Sequence, residues 1–181
     1  MHRPQRIIAI AACGVVLAAC SSSTASSGKS GTDSGTGGTA ASRALTARTT
    51  AAKVPLLPQE AFETHIHTQL DVTVDEKVLE VPSGIGIDQD ANRIAALHTH
   101  DTTGEIHVES PQKNAKYTLD HFLTVWGMPA GADARCTFFN ATAPCTLAVT
   151  SKDSGKAGLN VTLADQDTLT LTITSTTPPR Q

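Results

Sequence analysis

Between residues 56 and 176 the dominant hydrophobic period is two, the spacing at which side chains alternate between the faces of a β-strand. Ile66, Leu70, Val72 and Val74 form one such run, with polar residues mostly between them. Asp75-Glu76-Lys77 predicts a turn, residues 78–81 a returning strand, and Pro82 its end. Gly84-Ile85-Gly86-Ile87 predicts a tight connection, its glycines serving positive φ or close backbone approach. Residues 93–98 read as a third strand and 105–109 as a fourth, with Thr102-Thr103-Gly104 turning between them. Further strands are expected over 145–150, 158–163 and 168–174, the last a Leu-Thr-Leu-Thr-Ile-Thr alternation. Only one segment has helical spacing: Leu119, Phe122, Leu123 and Trp126, with Thr118 as N-cap and Gly127 as C-cap. The pattern predicts a mainly antiparallel β fold with one short helix, either a small sandwich or an α+β roll.

The ends of the chain are of a different kind. Arg3 and Arg6 precede an apolar stretch from Ile7 to Leu17 that is shorter than the roughly 20 residues a membrane-spanning helix needs. It ends in Leu17-Ala18-Ala19-Cys20, followed by three serines. This resembles the lipobox of bacterial lipoproteins, in which the chain is cut before the cysteine and the thiol carries a diacylglyceryl group. The resemblance implies a signal peptide over 1–19, lipidation at Cys20, and a place at the extracytoplasmic face of the cell membrane. The rival reading is an ordinary secretory peptide. Residues 20–52 are mostly Ser, Thr, Gly and Ala, a composition that buries too little surface to offset its ordering entropy, so a disordered tether is expected there. The globular domain is expected over 56–176, with 177–181 as a loose tail.

Charge and cysteines narrow the picture. The chain carries a formal charge of −3, and removing residues 1–19 takes away Arg3 and Arg6 and no acid. A mildly acidic chain without a basic run is a poor binder of nucleic acid. Of the four cysteines, Cys13 lies in the signal peptide and Cys20 takes the lipid. Cys136 and Cys145 are expected to form a disulfide in an oxidising compartment; the other reading makes them soft metal ligands. No sequence feature names a protein partner.

Candidate chemistry is concentrated in five histidines: His65 and His67, His98 and His100, and His107. In a strand, each H-x-H pair aims both imidazoles at one face, where two ring nitrogens can reach one ion. A two-residue turn at Thr103-Gly104 opposes His100 to His107 and His98 to Glu109. A four-residue loop over 101–104 opposes His98 to His107 instead. Both registers keep His98, His100, His107 and Glu109 on one face, because the grouping needs only an even loop. Whether His65 and His67 join them depends on where the first strand lies.

Three functional classes follow. The first is a non-catalytic metal binder that uses His65, His67, His98, His100, His107 and Glu109, with Asp101 or Glu105 as further candidates. Imidazole-rich sites suit Cu(II) and Zn(II), whereas Cu(I) usually recruits sulfur, and only Met128 remains beyond the signal peptide. The second is a structural or interaction protein whose histidines are polar packing. The third is a metalloenzyme with Glu105 or Glu109 as general base. His98-x-His100 followed by Glu105 is similar to the first half of a cupin metal motif. Pro129-x-Gly131 imitates part of the second half, but no histidine follows it and His121 comes too early.

Residues 65–126 also resemble a family of uncharacterised exported bacterial domains, many of them actinobacterial. The shared pattern is H-x-H at His65 and His67, V-P-x-x-I-G-I over 81–87, L-H-T-H-D-x-x-G-x-I-H-V-E over 97–109, and T-L-x-x-F-x-x-V-W-G over 118–127. The resemblance implies that the histidine segments belong to one structural unit, and it implies no particular activity.

Overall fold

The computed structural model describes residues 38–176. The signal peptide expected over 1–19, the lipidation site expected at Cys20, residues 20–37 and the tail expected over 177–181 therefore lie outside the described residues. In chain order the elements are α1 (Ala40–Ala52), β1 (Leu56–Leu57), β2 (Thr64–Val74), β3 (Lys77–Leu79), β4 (Ile87–Asp88), β5 (Arg93–Ala95), β6 (Leu97–His98), β7 (Glu105–Ser110), α2 (Leu119–Trp126), α3 (Ala132–Phe138), β8 (Cys145–Ser151), β9 (Gly155–Ala157) and β10 (Thr168–Ser175).

The fold is mainly β, as the alternation predicts. Seven strands form one sheet in the order β6-β7-β2-β10-β8-β9, with β3 paired to part of β2. All its pairings are antiparallel except β2 with β10, which run parallel. A second sheet, β1-β5-β4, has three short antiparallel strands. The period of two sorts the large sheet into two faces. Leu70 and Val72 of β2, Ile106 and Val108 of β7, and Leu169, Leu171 and Ile173 of β10 share the core with Leu119, Phe122, Leu123 and Val125 of α2. The intervening positions, including His65, His67, His107 and Glu109, take the opposite face.

Local chemistry explains the turns. Asp75 and Glu76 have φ of 47° and 67°, the conformation of a two-residue hairpin turn matched to strand twist, so Lys77 already belongs to β3. Gly86 has φ of 78°, and a Cβ there would collide with the Leu97 carbonyl oxygen. This is the close approach expected of that glycine, and it seats residues 84–87 against the segment that carries His98. Helix α2 has the expected ends. Thr118 Oγ1 accepts from the His121 N–H, His121 Nδ1 accepts from the Thr118 N–H, and Gly127 closes the helix at φ 116°.

Several expectations are corrected. The tether expected over 20–52 does not extend to Ala52, because residues 40–52 are the helix α1. Ser42, Leu45, Thr49 and Ala52 recur every three to four residues and are buried on one face, and α1 packs against α2. Thr39 caps its start, the Ser42 hydroxyl donates to Asp88 at 2.9 Å, and Arg48 Nη1 donates to the Trp126 carbonyl at 2.8 Å. Composition misleads here because a face of Ser, Thr, Ala and a single Leu suffices when it docks on a finished surface. There are three helices among the described residues rather than one, the third being α3.

The third expected strand is one extended segment shared by two sheets: β5 pairs in the small sheet and β6 in the large one. Ala95 and Ala96, both fully buried, let the sheets meet there. The strand expected over 158–163 is absent, and the hairpin partner of β8 is β9. Instead, the carbonyls of Val161 and Leu159 accept from the Leu119 and Asp120 N–H groups at 3.0 and 2.8 Å, satisfying first-turn donors of α2 that have no partner within the helix.

Cys136 and Cys145 form the expected disulfide, with Cα atoms 5.8 Å apart, tying α3 to the start of β8. Cys136 is fully buried, and the bond fits an oxidising, extracytoplasmic compartment. Phe138 and Phe139 pack beside it, each edge-on to Trp126. Among the described residues no helix is long and apolar enough to cross a membrane.

Candidate metal centre

Three neighbouring strands build the histidine face. Strand β7 lies between β6 and β2, and its register opposes His107 to His98 on one side and to His67 on the other. The row His67–His107–His98 thus crosses three strands, while His65 opposes Glu109. Of the two registers the sequence allows for the later hairpin, the one that opposes His98 to His107 is observed. His65 and His67, whose placement the sequence leaves open, come into the same cluster because β2 pairs with β7.

The imidazoles are packed closely. Ring centroids are 4.6 Å apart for His67 and His107 and also for His100 and His107, and 5.2 Å for the stacked pair His98 and His107. Within each H-x-H pair the Nε2 atoms face each other: His65 and His67 at 3.2 Å, and His98 and His100 at 3.2 Å. Two nitrogens bound to one ion at about 2.0–2.1 Å and a tetrahedral angle would be separated by roughly 3.3 Å. Both pairs lie near that separation.

His98 is the best-defined member. It is fully buried, and its Nδ1 donates to the Ala95 carbonyl at 2.9 Å. That bond sets the tautomer and leaves the Nε2 lone pair facing His100, as a metal-supporting histidine requires. Burial pushes its pKa down to about 4, and the neighbouring His100, His107 and His65 add to the effect against the opposing Ala95 bond. His107 is also held below the ordinary histidine range, first by burial and then by His100 and His67. Both rings are therefore neutral at physiological pH, which is the form that coordinates a metal.

Glu109 supplies the oxygen. Its side chain is 4% exposed. Its Oε1 lies 3.5 Å from His65 Nε2 and 3.4 Å from His107 Nδ1. Its Oε2 and the Nδ1 of His107 are buried with no hydrogen-bond partner among the described residues. An unpaired buried carboxylate oxygen is costly, and a cation beside it would remove that cost. The donor set therefore fits a metal ion: His98, His100, His107 and Glu109 each offer a ligand atom, and these atoms lie within 4.8 Å of one another.

Other acids stand around the rim. Glu105 Oε1 is 3.2 Å from His107 Nε2, and Glu60 Oε1 is 3.6 Å from His100 Nε2. Glu60 has no signal in the sequence, because it lies in the irregular segment before β2. Asp101 is not part of the cluster; its carboxylate accepts from the Thr103 N–H at 2.9 Å and shapes the turn. His121 is engaged in the cap of α2.

No family model matches the chain, and no curated protein and no solved structure matches it.

Proposed function

We propose that this protein is a lipid-anchored protein of the bacterial envelope that binds a divalent transition metal, Cu(II) or Zn(II), for metal handling outside the cytoplasm. The observation that carries the reading is the buried, unpartnered oxygen of Glu109 among imidazoles whose nitrogens stand at ligand spacing. The choice of ion rests on ligand softness. Cys136 and Cys145 are committed to a disulfide and Met128 is buried in the core, so the donors at the site are imidazole and carboxylate. The membrane anchor rests on Leu17-Ala18-Ala19-Cys20, and the disulfide supports the same side of the membrane. The resemblance to exported actinobacterial domains fits this placement.

The test is thermal unfolding of untagged residues 21–181, which retain all of the described residues 38–176, with Cu(II), with Zn(II) and with a chelator. A ligand that binds the native state alone raises its stability by mass action. A rise in melting temperature with one ion, reversed by the chelator, is expected. Unchanged melting in all conditions would remove the metal-binding role.

A second reading draws on the same 3.2 Å Nε2 contacts, which are also hydrogen-bonding distances. In it the histidines are polar packing, and replacing them changes stability but no affinity.

A further inference from the structure

The cluster holds more donors than one ion uses. Five imidazoles and one buried carboxylate meet on one sheet face, whereas a four-coordinate ion takes four ligands. The donors divide into two groups. His98, His100, His107 and Glu109 form one, and His65, His67 and His107 form the other, with ligand atoms within 4.8 Å of one another in each. The two groups repeat one design. Each has an H-x-H pair with Nε2 atoms 3.2 Å apart, and each pair flanks His107 from a different neighbouring strand. They differ in exposure: His98 is fully buried, while the His65 side chain is 40% exposed.

We infer that this face is a two-ion centre, in which His98, His100, His107 and Glu109 hold an inner divalent ion and His65 and His67 take a second, outer ion, with His107 within reach of both and bound through its one lone pair to one ion at a time. The inference rests on the metal-binding reading above. Sharing makes the two sites unequal. The inner ion has three imidazoles and the buried Glu109 carboxylate, so it binds first. The outer ion has two imidazoles of its own beside a His107 already engaged, so it binds more weakly and exchanges with solvent more readily. Graded exposure then gives the protein an outer position for capture and an inner position for retention, linked by ligand exchange on His107.

The experiment is calorimetric titration of residues 21–181 with Zn(II) and with Cu(II), with metal content measured after desalting. The unsubstituted chain is expected to take two equivalents, the second more weakly, and to give up that second equivalent at lower chelator concentration. His65→Ala/His67→Ala is expected to retain the tight equivalent and lose the weak one. His100→Ala, at a side chain 44% exposed and therefore safe for folding, is expected to weaken the tight one. Circular dichroism establishes that each variant is folded. A single equivalent that survives His65→Ala/His67→Ala unchanged, with no weaker phase in the parent, would overturn the two-ion centre and leave the one-ion function standing. No uptake by the folded parent would overturn both.

Discussion

Glu109 and His98 show what single residues contribute. Glu109 is an acid buried among imidazoles, with one oxygen unpartnered. If it serves as a ligand, Glu109→Gln should weaken binding by at least about ten- to a hundredfold, the range for groups that only support a ligand. The metal-free variant should be no less stable than the parent, because the substitution removes the charge of a buried carboxylate, one of whose oxygens has no partner. Loss of stability in Glu109→Gln without loss of affinity would favour polar packing instead. Metal titration and denaturant unfolding of the same samples give both answers.

His98 makes the metal-free protein sensitive to acid. Its folded pKa is about 4 and its ordinary value is 6.5, so the unfolded chain takes up the proton first as pH falls. Stability from this group is therefore full above about pH 6.5, declines between 6.5 and 4, and is lower by about 3 kcal/mol below that window. Replacing His98 should flatten that part of the stability–pH curve, and an unchanged curve would show that the burial of His98 is not what sets it. The residues of this site were largely legible in the sequence. An even loop between the two strands places His98, His100, His107 and Glu109 on one face whatever the turn. Glu60 and the Ala95 carbonyl were not legible, because an irregular segment and a backbone acceptor leave no side-chain pattern.

At the scale of elements, periodicity performed well where burial is one-sided. Strands β2, β7 and β10 and helix α2 bury one face each, and each was readable from the spacing of its apolar residues. Periodicity failed where another element supplies the hydrophobic surface. Helix α1 carries one large apolar residue on its inner face, Leu45, and reads as a tether until α2 is present to receive it. Leu45 is 3% exposed, so Leu45→Ala should cost about 2–5 kcal/mol, measurable by denaturant unfolding. Metal stoichiometry should be unchanged, since α1 contributes no ligand. A cost within about 0.5 kcal/mol, the usual size of a surface substitution, would show that α1 does not dock as described. The segment over 158–163 failed for a related reason. Its alternation is real, but its backbone carbonyls serve the first turn of α2 rather than a strand.

At the scale of the whole molecule, the large sheet brings together segments far apart in the chain. The parallel pairing of β2 with β10 leaves the other edge of β2 free for β7, and β7 in turn receives β6. That order could not be read from the strands individually, and it decides whether five histidines make one cluster or two. The disulfide and the Cys20 motif concern where the protein works. Cys20→Ser should move the protein from the membrane fraction to the soluble envelope fraction while leaving metal binding intact. Retention in the membrane fraction would contradict lipid anchoring at that residue.

The most direct test of the metal centre is X-ray absorption on residues 21–181 loaded with one equivalent of Zn(II) and desalted. The expected result is a low-coordinate nitrogen and oxygen shell at about 2.0–2.1 Å, with imidazole outer-shell scattering that weakens in His98→Ala/His100→Ala. A purely oxygen shell without imidazole scattering, or retention of neither Zn(II) nor Cu(II), would contradict a centre built on His98, His100, His107 and Glu109.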